Sequence, residues 1–184
     1  MPRPMRPVTL QGTRISLRPW RREDLDPLFA INGDAESMRH FASVMTRAQS
    51  DAWAERLQTH FEQHGWGFWV VEETGGAPFL GVVGLMHIPW EAPFTPAVEI
   101  GWRIHPAHRR RGFAREAARM ALGFAFGTLR LAEVVAFTVP GNAASWRLME
   151  RLGMAAAGEF DHPRLPEDHP LRRHLLYRIA APPG

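Results

Sequence analysis

The sequence predicts an α+β domain in three layers: a central mixed, mostly antiparallel sheet of about seven strands, flanked by about four helices. Two observations carry this. The middle of the chain has the element order ββαβ, with hairpins outside it, and that order suits a mixed sheet with helices on its faces. Between Glu99 and Gly153, a short apolar strand runs into a basic, Gly-containing turn that opens a helix, and a second strand then runs into an Asn-led helix.

The elements follow in order. Residues 8–18 alternate as a strand. Asp24 to Asn32 places Leu25, Leu28 and Phe29 at helical spacing, with Pro27 tolerated in the first turn. Thr46-Arg47-Ala48-Gln49 has the form of a capping box; Trp53, Leu57 and Phe61 then recur on one helix face, and Gly65 ends the helix. Residues 67–73 and 79–88 read as strands joined through the turn Thr74-Gly75-Gly76. Pro89 to Pro96 is a loop, and Val98 to Ile104 is the next strand. Phe113, Ala117, Met120 and Phe124 form a helical stripe with Gly127 near its end. Glu133 to Thr138 is a strand, and Ala143 to Leu152 a short helix stopped by Gly153. Two last strands lie around 156–160 and 174–179, with a Pro- and His-rich loop between them.

Composition bounds the function. A length of 184 residues suits one domain, 1–184, with 1–7 and 181–184 expected to be flexible. No apolar run approaches the ~20 residues that span a membrane, and no apolar segment follows the opening Met-Pro-Arg-Pro-Met-Arg-Pro. Cysteine is absent, which excludes disulfides, a cysteine nucleophile and thiolate metal ligands, and fits a cytoplasmic protein. All 22 cationic side chains are Arg and the formal net charge is only +3. The arginines are scattered except at Arg109 to Arg111 and two pairs, whereas a nucleic-acid binder would carry a denser stripe. His162, His169 and His174 match no common metal-ligand spacing, so no metal is expected.

The turn from Arg109 to Ala114 offers free backbone N–H groups at a helix N-terminus, a favourable dipole and flanking arginines. It is suited to a phosphate-bearing cofactor. Three arginines at a helix start are electrostatically unfavourable unless an anion is near. Gly112 removes a side chain from the tightest point, and Ala114 is nearly as small.

Arg109-Arg110-Arg111-Gly112-Phe113-Ala114 resembles the Q/R-x-x-G-x-G/A signature of the GNAT superfamily of N-acetyltransferases. Asn142, Ser145 and Arg151-Leu152-Gly153-Met154 resemble its N-x-x-S…K-L-G-F segment. The opening Thr13-Arg14-Ile15-Ser16-Leu17-Arg18-Pro19-Trp20 is similar to the start of a branch that acetylates ribosomal-protein N-termini. Together these cover about Leu10 to Ile179.

The resemblance implies the GNAT fold, acetyl-CoA as co-substrate, and transfer of acetyl to a primary amine by direct attack. The acceptor would be a protein N-terminus or a small amine, and a homodimer is open to the chain by family habit. The resemblance puts the coenzyme A pyrophosphate on the main chain of Arg109, Arg110, Arg111, Gly112, Phe113 and Ala114. Many members carry a second Gly where Arg110 stands here. It also pairs pantetheine with the strand at Val98 to Ile104, with a main-chain N–H near Trp102, Arg103 or Ile104 on the oxyanion. Gly101 suits a bulge or a packing site.

An ammonium must lose its proton before it attacks a thioester. Glu99 is the first candidate base, by resemblance to the Glu common at this strand position; an ion pair with Arg103 across Gly101 is the competing role. His87 is the second candidate, or else an ordinary loop-edge histidine. Asn142 would bind the pantetheine arm or cap its helix. Ser145 would face the sulfur or be a polar first-turn residue. Tyr177, the only tyrosine, falls in the last strand, away from the position a general acid would need. Trp66, Trp69 and Trp90 would line the acceptor pocket or belong to core and lid. The alternative to an enzyme is an acyl-CoA-binding sensor on the same fold, without turnover.

Overall fold

A computed structural model describes residues 6–183; of the ends expected to be flexible, residues 1–5 and 184 lie outside the described residues. The elements are β1 (Leu10–Gln11), β2 (Ile15–Arg18), α1 (Leu25–Asn32), α2 (Ala35–Met38), α3 (Arg47–His64), β3 (Phe68–Glu73), β4 (Gly81–His87), β5 (Val98–Ile104), α4 (Phe113–Gly127), β6 (Glu133–Thr138), α5 (Ala143–Arg151), β7 (Ala155–Asp161) and β8 (Arg173–Ala180). They form one eight-stranded sheet in the order β1-β2-β3-β4-β5-β6-β8-β7. The pair β5 and β6 is parallel and the other neighbours are antiparallel.

The expected seven strands and four helices become eight and five for two local reasons. The first strand folds back on itself: Gly12 donates its N–H to the Ile15 carbonyl, and Leu10 pairs with Leu17. The short helix α2 is capped by the Asp34 side chain, which accepts from the Ser37 N–H, and it is too brief to show a period. The capping box at Thr46 and Gln49 forms as the sequence predicts, and Gly65 closes α3 at φ 75°.

Two apolar layers sandwich the sheet. On one face α4 lays Phe113, Ala117, Ala121 and Phe124 against Trp69, Leu85, Ile100 and Ile104. Its alanines let the helix approach the strands closely. On the other face Leu28, Ile31, Ala54 and Leu57 of α1 and α3 cover Phe68, Val70 and Val82. Alternate β5 residues therefore have opposite duties: Val98, Ile100 and Ile104 face α4, while Glu99, Gly101 and Arg103 face the α1/α3 side. Among the described residues no helix is long and apolar enough to cross a membrane.

The opening motif serves this framework. Buried Arg18 grips buried Asp24 with two hydrogen bonds, at 2.9 and 2.8 Å, and also reaches Glu72 at 2.5 Å. The Trp20 indole N–H donates to the Phe68 carbonyl at 2.8 Å. Such a charge pair is costly to break from one side, because the remaining charge stays buried. These residues therefore brace the first strands, and Arg18 and Trp20 lie outside the wall of the large cleft described next.

Candidate active site

The central feature is a split in the sheet. Strands β4 and β5 pair along seven registers, from Gly81–Ile104 to His87–Val98, whereas β5 and β6 meet at one, Glu99–Val135. Past that point the two parallel strands separate, and their following helices, α4 and α5, start at the mouth of the gap. Ligands in open sheets collect at such carboxyl ends. The cleft there has a volume of about 1200 Å³.

The α4 side of the mouth is an anion cradle. The first intrahelical bond runs from the Glu116 N–H to the Gly112 carbonyl, so the N–H groups of Phe113, Ala114 and Arg115 have no partner within the helix. Gly112 has φ 82° and Arg110 has φ 60°, both left-handed. That conformation costs a non-glycine residue roughly 1–2 kcal/mol, which accounts for the preference for glycine at the Arg110 position in the resembling family. Successive turns of this kind aim N–H groups into one concavity.

The expectation that all three arginines await an anion needs correction. Arg111 already pairs with Glu73 at 2.8 Å and lies over the Phe113 ring. Arg109 donates to the Ile104 carbonyl at 3.0 Å and to the Ser37 hydroxyl at 2.9 Å. Arg14, paired with Glu116 at 2.6 Å, donates to the Arg111 carbonyl and buttresses the turn. Arg110 has no hydrogen-bond or ion-pair partner among the described residues, and it lines the cleft.

On the α5 side, Asn142 stands at the N-cap position, but its side chain does not cap the helix. Its amide N–H donates to the Thr138 hydroxyl at 3.0 Å instead, which leaves the side-chain carbonyl open to the cleft. Ser145 is half-buried in the first turn and also lines the cleft. Trp102, Arg103 and Ile104 line the opposing wall on β5.

Glu99 and Arg103 do not pair. The ring of Phe68 comes between them over Gly101, where an added Cβ would lie 2.8 Å from Phe68 Cζ. Gly101 is therefore a packing site; the unbroken β4–β5 register excludes the bulge. Glu99 sits between its cross-strand neighbours Met86 and Val135, a desolvated position that pushes its carboxyl up to about 7, opposed by the field of Arg164. Glu99 lines the cleft.

Arg103 takes an unexpected position. Its Nη1 donates to Asn32 Oδ1 at 2.7 Å, and its guanidinium lies 4.1 Å from the ring centres of both Phe41 and Trp53. No carboxylate pairs with it among the described residues. Burial pulls its pKa down to about 9, so it stays cationic at neutral pH.

The remaining candidates separate clearly. His87 points away from the cleft, into a group with His60 and His64, and burial lowers its pKa. Tyr177 is buried and donates to Glu150 at 3.3 Å, also outside the cleft. Trp66 and Trp69 are core, whereas Trp90 does line the cleft with Phe137, His162 and His174. Residues that sequence reading missed are Asn32, Phe41 and Trp53, which hold Arg103, and Arg164, which faces Glu99. Helical spacing marks Trp53 only as a packing residue.

The acetyltransferase (GNAT) domain family matches residues 14–155. The uncharacterised protein YkkB of Bacillus subtilis is 30% identical over 142 residues, 77% of this chain and 81% of that one. A GNAT-family acetyltransferase from Bacillus anthracis superposes with a TM-score of 0.78 at 21% identity, over 95% of this chain and 99% of that one. A spermidine N-acetyltransferase from Vibrio cholerae, solved with CoA and spermine, gives 0.72 at 21% identity, over 92% and 97%.

Proposed function

This chain belongs to the GNAT acetyltransferase family, an enzyme family that uses acetyl-CoA, and on that premise we propose that it acetylates a primary amine whose carrier also bears an anionic group. Both acceptor classes open to it, a protein N-terminus and a small amine, can meet that condition. One GNAT domain over 1–184, acting in the cytoplasm, completes the reading.

The pyrophosphate of the co-substrate fits the N–H groups of the Arg109–Ala114 turn, with Arg110 as the unspent cation. Pantetheine runs along the open edge of β5, held by Asn142, and an N–H of Trp102 to Ile104 meets the carbonyl oxygen of the thioester. Glu99 takes a proton from the acceptor ammonium. The amine lone pair then attacks the thioester carbon, the oxyanion collapses as the C–S bond breaks beside Ser145, and the proton that the new amide nitrogen sheds goes to the departing thiolate, leaving neutral amide and coenzyme A thiol. A thiol of pKa ~8.5 leaves without strong acid help. A base whose pKa lies near 7 is matched to work at neutral pH.

The anionic requirement rests on one observation: Arg103 is a desolvated cation on the same face as Glu99, without a carboxylate partner among the described residues. Arg164 adds a second positive charge near Glu99. A polyamine, such as the spermidine in the name of the Vibrio cholerae relative, would carry extra positive charge into that field. A charge-assisted hydrogen bond is worth about 1.5–3 kcal/mol, or about 10- to 100-fold in selectivity. Coenzyme A release, read with a thiol reagent, tests this. Amino acids and peptides with an acidic residue near a free N-terminus should exceed spermidine by at least about tenfold in kcat/KM, and Arg103→Gln should narrow the gap. Equal or faster turnover of spermidine by the wild type overturns the anionic requirement.

A further inference from the structure

We propose that His60, His64 and His87 form a binding site for a zinc-like divalent transition-metal ion at the end of the sheet, apart from the acetyl-transfer cleft. None of the three lines that cleft. His60 and His64 stand four residues apart in the last turns of α3, on one helix face. His87 is the last residue of β4 and comes up to meet them. One ligand nitrogen from each lies within 4.8 Å of the other two.

The geometry suits a first-row ion. Zinc–imidazole bonds of 2.0–2.1 Å in a tetrahedron set nitrogens roughly 3.3 Å apart. His60 Nε2 and His87 Nδ1 are already 3.1 Å apart, so a side-chain rotation of His64 completes the set. The orientation of His60 is fixed from behind: its Nδ1 lies 3.2 Å from the Trp66 carbonyl. A carbonyl only accepts, so the proton is on Nδ1 and the Nε2 lone pair is turned toward the cluster. Backbone carbonyls play this supporting part for metal-bound histidines generally. At present Nε2 accepts from the His87 main-chain N–H at 3.3 Å and from the His87 ring Nδ1–H at 3.1 Å; an ion replaces both once the His87 proton moves to its Nε2, which frees Nδ1 to ligate.

The surroundings favour a cation. The C-terminal end of an 18-residue helix carries the negative pole of its dipole. The Trp66 ring, centred 5.0 Å from His87 and 5.7 Å from His64, forms an apolar wall on one side. His64 is half-buried and His87 exposed, so an ion can enter and a water can take the fourth position. Three neutral imidazoles and no thiolate select zinc, copper or nickel over calcium or magnesium. Bound there, the ion ties the end of α3 to the end of β4.

The test uses full-length, tag-free protein stripped with a chelator, then titrated with zinc chloride by calorimetry. One equivalent should bind, and saturating zinc should raise the thermal midpoint by about 5–10 °C. Cobalt(II) should give the visible absorption of a four-coordinate site. His64→Ala and His87→Ala, at positions exposed enough to leave the fold intact by circular dichroism, should each weaken zinc binding by about 100-fold or more. His162→Ala, in the separate His162–His174 pair, should bind zinc as the wild type does. No binding, or affinity unchanged in His64→Ala and His87→Ala, overturns the proposal, as does loss of binding in His162→Ala alone.

Discussion

Replacing Glu99 by Gln is expected to lower kcat/KM for the acceptor by about 10²–10⁴-fold and to erase the rise of kcat/KM with pH through about 7. Gln keeps the size and the hydrogen-bonding reach of Glu but cannot take the proton of the ammonium. Binding of acetyl-CoA, whose proposed contacts are the Arg109–Ala114 turn, Asn142 and the later residues of β5, should be unchanged. The same substitution has a signature in stability. Burial holds the folded-state pKa of Glu99 above its ordinary value of 4.5, at about 7. The folded protein therefore binds this proton more tightly than the unfolded chain. That contribution to stability is fully present below 4.5 and is lost as pH rises through 7. Thermal midpoints measured from pH 5 to 8 should show Glu99→Gln gaining on the wild type as pH rises. A variant more stable at pH 8 yet inactive separates loss of a base from loss of fold. Retention of the rate and of its pH limb would remove Glu99 from the chemistry.

Gly112→Asp is expected to raise the KM for acetyl-CoA by about 100-fold, with the fold retained. The left-handed φ of 82° at this position excludes most side chains, but Asp and Asn tolerate that region better than other residues. There is room for the new side chain, since an added Cβ would lie 3.4 Å from the Arg14 guanidinium and meet nothing else within 4 Å. What changes is the charge: a carboxylate would stand at the rim of the N–H cradle, where the pyrophosphate is proposed to bind. Gly112→Asn, with the same shape and no charge, should raise KM much less. Calorimetric titration with coenzyme A separates the two variants from each other. Equal weakening in Asp and Asn would mean that bulk, and not anion recognition, governs the turn.

The frame around this site was legible in sequence because its signals are local. β5 and β6 fall at the predicted residues, α4 begins at Phe113, and the capping box at Thr46 starts α3 where expected. The relations across the sheet were not legible. Glu99 and Arg103 share a strand face, which argued for an ion pair, but Phe68 comes from a strand thirty residues earlier and separates them. The partners that occupy the basic turn are equally distant: Glu73 stands 38 positions from Arg111, and Ser37 stands 72 from Arg109. Arg103 depends on Phe41 and Trp53, and Phe41 follows a four-residue helix that no periodicity reveals. His60 and His64 have a visible four-residue spacing, yet His87 joins them only through the fold. The similarity of the opening motif to N-terminal acetyltransferases says little about the acceptor, because Arg18 and Trp20 are engaged in bracing β2 and β3.

Direct attack by the amine requires both substrates in the split sheet at once. Initial rates of coenzyme A release, with acetyl-CoA and acceptor varied together, test this directly. The chain has no cysteine, so a thiol reagent reads only the product. Intersecting double-reciprocal lines, with no acetyl group left on the protein by acetyl-CoA alone, are the predicted result. Parallel lines, with an acetylated enzyme detectable by mass at Ser145 or elsewhere, would contradict it.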